Sequence, residues 1–298
     1  MKSVLLNIIL ALIAAPLLPG IINRVKAVFA GRKGQPLLQL YYDLHKLLKK
    51  SAVFSSATTF FFWVGPLAGF AVLAGSLLVV PQAQGKSLVQ FPGDIILFVY
   101  LFGVMRFFAV VSAMDTGSSF EGMGASREIQ FAVFAEPALF VGLVTLARKT
   151  ANLSLSGIYS SFSWHDGTIL MLVSAAFFII FLAENSRLPV DDPNTHLELT
   201  MIHEVMVLDH SGPDLAIIFY SASLKLWILG SLVVGAIIPM HTGNIIFDEL
   251  IFLSGIAALS LAVGIVESCM ARLKLLKVPQ LLIAGFALAM LALIFQIM

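Results

Sequence analysis

The sequence predicts an all-α integral membrane protein of eight transmembrane helices, with amphipathic helices in its cytoplasmic loops. Three observations carry this. Apolar residues make up 59% of the 298-residue chain and charged residues 12%. The charged share of an ordinary globular domain is roughly 25%. Mean hydropathy is +0.97. The apolar residues run continuously over the ~20 residues a bilayer-crossing helix needs, and do not alternate as in a membrane barrel.

The spans are read at about 3–22, 59–80, 93–113, 128–147, 167–184, 214–239, 245–266 and 278–297, forming one membrane domain over residues 1–298. A formal net charge of +1 gives no electrostatic footprint for nucleic acid. Cys269 is the only cysteine, so this chain alone forms no internal disulfide and no conventional iron–sulfur cluster.

After the first span comes GRKGQP, then Leu37, Leu40, Tyr41, Leu44, Leu47 and Leu48 at helical spacing, ending in Lys46, Lys49 and Lys50. This pattern predicts an amphipathic helix lying in the membrane interface. The next loop on that side, MDTGSSFEGMGASRE within 113–128, carries Gly117, Gly122 and Gly124. Those glycines predict a compact irregular backbone, with Ser126 placed to cap the fourth span. The glycine spacing is not that of a phosphate-binding loop.

The third loop on that side, 183–215, is the densest in charge. It holds Glu184, Arg187, Asp191, Asp192, Glu198, Glu204, Asp209 and Asp214, eight of the chain's 35 formal charges. Asp192-Pro193 reads as a helix start. A helix from there to Leu208 puts Leu197, Met201, Val205 and Leu208 on one stripe, with Glu204 inside it. Ser211-Gly212-Pro213 ends it. His196, His203 and His210 recur every seventh residue. Seven helical residues rise about 10.5 Å, too far for two of them to share an ion through bonds of about 2 Å. No metal site is expected.

Twelve lysines and arginines fall in the loops on this side, against four on the other. That bias predicts both termini outside and the 183–215 loop in the cytoplasm.

Arg106, Glu136 and Lys225 lie within spans, and Glu184 and Glu267 at the inner ends of two more. A mid-span charge costs about 2.5–3.5 kcal/mol on insertion scales, so five such groups are expected to meet inside the bundle. Two readings stand: a proton relay, and buried ion pairs that fix helix packing.

The loop MDTGSSFEGMGASRE resembles that of the complex I-like, H-type membrane subunits of energy-converting nickel–iron hydrogenases, a family to which formate hydrogenlyase subunit 4 belongs. GRKGQPLLQ, RFF at Arg106, EP at Glu136, AENSRLPVD from Ala183, SLK at Lys225 and ESCMARLK from Glu267 resemble the family in the same order, over essentially the whole chain. The resemblance implies a non-catalytic subunit that joins a cytoplasmic redox module to antiporter-like membrane subunits. Its partners would be a nickel–iron hydrogenase-like large subunit and an iron–sulfur small subunit, which hold the nickel–iron site and the clusters. No cofactor is expected in this chain.

By the same resemblance, Glu136, Glu184, Arg106, Lys225 and Glu267 line the ion-coupling path. Asp115, Glu121, Arg127, Glu128, Asp191, Asp192, Glu198 and Glu204 face the redox module. The complex I branch of the family shapes a quinone cavity and reads roughly FDLPEAESEL where this chain has VDDPNTHLEL. That departure favours the hydrogenase branch over a complex I-type quinone pocket. A stand-alone secondary transporter is the third reading, and the absence of an obvious internal repeat weighs against it.

Overall fold

The structure is a computed structural model that describes residues 2–83, 85–162, 167–191, 201–238 and 244–297. Among these it is helical, with no strand. Seven helices are long and apolar enough to cross a membrane, and a bent pair at the start makes eight.

That pair, α1 (Lys2–Ala14) and α2 (Leu17–Phe29), replaces the straight first span read at 3–22 and bends by 47°. Pro16 lies at the break. Proline has no N–H to give the Leu12 carbonyl four residues back. Tyr220 donates its hydroxyl to the Leu12 carbonyl instead, at 2.7 Å, and Tyr41 donates to the Ile13 carbonyl. Two tyrosines from elsewhere in the chain thus satisfy the groups freed at the break.

The predicted interfacial helix is present as α3 (Gln39–Leu48), which buries no residue fully and packs its half-buried side on α9. Next come α4 (Phe60–Val79) and α5 (Asp94–Asp115), packed along each other. Asp115 closes the pair. Its carboxylate accepts from the Thr59 and Phe62 backbone N–H groups at 2.6 and 3.2 Å and from the Thr59 hydroxyl at 2.7 Å. A carboxylate there satisfies the free donors of the α4 N-terminus and sits at the positive end of its dipole.

α6 runs from Ser119 to Thr150, 32 residues, where the sequence predicts an irregular loop up to 128. At about 1.5 Å per residue it is about 48 Å long, well beyond the ~30 Å hydrocarbon core. Only Gly117, at φ 69°, marks a turn. Ser126 lies inside the helix and donates to the Met123 carbonyl, so it caps nothing. Gly124 serves packing: a Cβ there would sit 2.4 Å from Val205 Cγ1 and 2.8 Å from the Ile202 carbonyl oxygen.

The short α7 (Leu155–Ser160) lies at the opposite end, where buried Asp94 accepts from Leu155 N–H at 2.7 Å and the Ser154 hydroxyl at 2.6 Å. α8 (Gly167–Glu184), α9 (Gly212–Ile237), α10 (Ile245–Cys269) and α11 (Val278–Ile297) complete the bundle. α9 carries a long buried run through Leu224–Val234, and α11 lies against α6 and α8.

The loops converge at one end. Val53 N–H reaches Ser211 Oγ, Asp115 reaches Thr59, and Arg272 reaches Asp191. There the segment after α8 closes the bundle as a cap. The continuous helix expected from Pro193 to Leu208 is not formed over 201–208. The described part is an irregular stretch with a single 3₁₀ turn at Glu204–Val207, while 192–200 lie outside the described residues. Met201, Ile202, Val205 and Met206 are buried; Leu208 is exposed. Burial against α6 overrides the helical stripe.

Gly124→Ala should loosen this cap, because the methyl meets backbone and two side chains at once, a cost of about 1–3 kcal/mol. Gly122→Ala, with nothing near its Cβ, should instead stabilise α6 by up to about 1 kcal/mol. Thermal unfolding of the two purified variants checks the opposite signs.

Candidate functional site

Beneath the cap, one guanidinium gathers acids from two helices. Arg106 lies nine residues before the end of α5, about 13 Å in from the cap end of that helix. Its Nε donates to Glu128 Oε1 at 3.0 Å, its Nη1 to Glu136 Oε1, and its Nη2 to Glu184 Oε1 at 2.5 Å. Lys225 Nζ lies 2.8 Å from the other oxygen of Glu184. Glu128 and Glu136 come from α6, Glu184 from the end of α8 and Lys225 from α9. Four helices therefore meet at these charges.

The three carboxylates differ in surroundings. The side chains of Glu128 and Glu184 are 10% and 6% exposed, that of Glu136 36%. Glu136 thus reaches the flank of the bundle, beside exposed Val133 and Phe107. A carboxylate at that depth is costly against lipid, so this flank suits a protein neighbour.

The cap joins the cluster through His203. Its Nε2 lies 3.0 Å from Glu128 Oε2 and its Nδ1 3.7 Å from Asp191 Oδ2. Burial works against the charged imidazole, but the nearby carboxylates of Glu128 and Asp191 outweigh it and raise its pKa to about 9. Asp191 accepts from Arg272 Nη2 at 2.7 Å and from the backbone N–H groups of Ile202 and His203 at 3.3 and 3.4 Å. A continuous line of charged groups therefore runs Arg272, Asp191, His203, Glu128, Arg106, Glu184, Lys225. Glu136 branches from Arg106.

Of the residues expected on the coupling path, Arg106, Glu136, Glu184 and Lys225 meet. Glu267 does not join them: it is buried between Lys26 Nζ at 2.9 Å and Arg187 Nη1 at 3.4 Å, tying α2, α10 and the cap's start.

Several residues expected on the outer face toward a redox module lie inside. Asp115 caps α4. Glu121 is fully buried and accepts from the Asp209 N–H at 3.1 Å. Arg127 donates to the Met201 carbonyl at 2.8 Å, Glu128 sits in the Arg106 cluster, and Asp191 organises the cap. Glu204 is half-buried in the 3₁₀ turn, and Asp192 and Glu198 lie outside the described residues.

Of the seventh-residue histidines, His203 enters the line and His196 is outside the described residues. His210 stacks on Phe62 at 4.0 Å and is held neutral by burial, its pKa lowered to about 4. The sequence singles out His203 only to reject it as a metal ligand. The signal for its place is its position between Asp191 and the acids of the spans, which spacing along the chain does not reveal.

A family model described as NADH dehydrogenase matches residues 1–298, and the chain belongs to this family. It is 32% identical over 303 residues to formate hydrogenlyase subunit 4 of Escherichia coli (strain K12), covering 97% of each protein. It is 29% identical over 300 residues to hydrogenase-4 component C of the same organism, covering 96% of this chain and 93% of that protein. The H-type subunit of NADH-quinone oxidoreductase from Rickettsia prowazekii (strain Madrid E) is 26% identical over 187 residues, 61% of this chain and 54% of that protein. Among solved structures, a chain of the membrane-bound sulfane sulfur reductase, an archaeal respiratory membrane complex, shares the fold with a TM-score of 0.85 at 18% identity, over 99% of this chain and 98% of that one.

Arg106→Gln should strand three acids with only Lys225 beside Glu184 and His203 beside Glu128 to offset them, a loss of about 3–5 kcal/mol. A second change, Glu184→Gln, should recover part of it by removing one of the stranded charges. Melting temperatures of the purified single and double variants test this, and a double variant no more stable than the single would refute the electrostatic origin.

Proposed function

We propose that this member of the NADH dehydrogenase family is the membrane anchor and coupling subunit of a hydrogenase-type complex, passing the state of a cytoplasmic redox module to proton- or sodium-moving membrane subunits. The observation that carries the proposal is the unbroken line of charged groups from the cap to Lys225, with Glu136 on the bundle's flank. The cap is the natural contact for a redox module, since it closes the end where the lysine- and arginine-rich loops gather. The charge bias supports placing that end in the cytoplasm and both termini outside.

The nickel–iron site and iron–sulfur clusters belong to the partner large and small subunits in this reading; this chain supplies charge and conformation. The two hydrogenase-type relatives match nearly end to end, whereas the quinone oxidoreductase relative matches 61% of the chain. That difference favours the hydrogenase branch over a quinone-binding role.

The chemistry asked of the site is modest. Arg106 shares its donors among three carboxylates, so a shift of the guanidinium toward one acid weakens its hold on the others and lets one of them accept a proton. Movement of the cap, through His203 and Glu184, changes that distribution. Glu136 is the point of exit toward an antiporter-like neighbour.

Glu136→Gln keeps the side-chain volume and removes the titratable group. The complex should assemble in normal amount while ion movement coupled to hydrogen turnover falls. Subunit retention and ion uptake into vesicles measure the two. Normal ion movement would defeat the coupling role, and a depleted complex would mark Glu136 as a packing residue.

A further inference from the structure

His203 brings the cap to ion-pair distance of a carboxylate beside Arg106, and the charge count at that contact is uneven. Glu128, Glu136 and Glu184 bring three acids; Arg106 and Lys225 bring two fixed cations. Asp191 and Arg272 balance each other at 2.7 Å. Counted over the described residues, the cluster is neutral when the imidazole of His203 carries its proton and holds one excess negative charge when it does not. A cavity of about 10 Å³ lies against the same groups, bounded by Glu128, Glu184, His203, Ala135, Val190 and Ile202. That is near the least space a single water occupies.

We infer that His203 is the proton relay between the cap and the buried acids, taking a proton on the Asp191 side and delivering it to Glu128. The inference rests on the coupling reading above and names the residue through which the proton enters. In the step, the Nε2–H bond of the imidazolium breaks and an O–H bond forms at Glu128 Oε2, leaving a neutral imidazole and a carboxylic acid. The neutral ring keeps its remaining proton on Nδ1; tautomerisation moves that proton to Nε2 and frees Nδ1, which then takes a proton from water at the cap by way of Asp191 and restores the imidazolium. No electron moves. Within the resting arrangement Arg106 donates to Glu128 Oε1, so transfer follows a shift of the guanidinium toward Glu136 or Glu184. Glu184, whose second oxygen meets Lys225, lines the same small cavity and is the acceptor for onward transfer.

The groups facing His203 are Glu128 on α6, Asp191 at the start of the cap with Arg272 behind it, and Lys225 at longer range from α9. The acids favour the imidazolium, and the lysine opposes it. With its pKa raised to about 9, the donor form predominates at neutral pH and is lost as pH rises through that value.

The test compares complexes purified through a tag on this chain, wild type against His203→Gln, His203→Arg and Glu184→Gln, reconstituted in vesicles. Ion movement per hydrogen turnover is recorded from pH 6 to pH 10. Wild type should lose coupling as pH passes about 9. His203→Gln should lose roughly 100-fold in ion movement at neutral pH and show no break near 9. His203→Arg keeps a fixed positive charge and hence the electrostatic balance, so it should assemble even where the glutamine variant does not, and remain uncoupled. Normal coupling in either His203 variant, with coupling lost in Glu184→Gln, overturns the relay and leaves the coupling reading intact. Normal coupling in Glu184→Gln as well overturns both.

Discussion

The fold depends on how one guanidinium is satisfied away from water. Arg106 has five N–H donors in a fixed plane, and three acids from two other helices compete for them. Glu128 and Glu136 are eight residues apart on α6, about 12 Å along its axis, so they approach the guanidinium from above and below. Glu184 closes the third side because α8 ends there. If any of these helices were rotated or slid by a turn, a charge would be left in hydrocarbon at a cost of several kcal/mol. Apolar packing alone specifies helix positions weakly in a membrane, where lipid is as oily as the core. The charges set the register that the apolar faces leave open.

The cap follows from the same constraint. A charge cluster set roughly 13 Å in from the cap ends of α5 and α6, with Glu184 at the end of α8, needs its inner side closed, and the segment after α8 does this with buried Val190, Ile202, Val205 and Met206. Its irregular backbone is held by Asp191, which accepts from two of its own N–H groups and from Arg272. The small residue at Gly124 lets the cap lie directly on α6. Because Asp191 fixes the backbone of His203, and His203 touches Glu128, a change in the cap's shape is transmitted to Arg106 without any long lever.

How much of this is legible in the sequence varies with the physics involved. The later spans fall within a few residues of their expected bounds, since continuous hydropathy is a direct readout of the solvent a helix requires. The bend at Pro16 escapes because the run stays apolar through it; only the missing N–H betrays it. α6 begins nine residues before the expected start because Gly122 and Gly124 look like loop formers, whereas Gly124 is small for the sake of its neighbour. The helix expected over 193–208 rests on periodicity, and burial of Met201, Ile202, Val205 and Met206 in an irregular chain overrides it. At the site, the mid-span charges Arg106, Glu136 and Lys225 announce themselves by their expense. Glu128 and Asp191 do not: they sit at the ends of polar loops, where an acid needs no explanation, and only the fold carries them inward. Glu267 shares the sequence signature of the path and belongs to a different contact.

That last contrast separates the two charge clusters in kind. Glu267 is one acid between two cations, Lys26 and Arg187. Such a group is closed: each carboxylate oxygen has a cation beside it, and its work is to pin α2, α10 and the cap together. The Arg106 cluster is the reverse, with three acids around one guanidinium and a single lysine behind. Two fixed cations do not neutralise three carboxylates, and among the described residues the third positive charge beside them is the imidazolium of His203. A purely structural arrangement would gain nothing from that deficit, because replacing one acid by an amide would relieve it at almost no change in volume. Keeping three ionisable acids within reach of one arginine, with a titratable imidazole from the cap paired to one of them, is costly for packing and useful for moving charge. The imbalance, more than the presence of charges in the membrane, is what supports the coupling role proposed for this site.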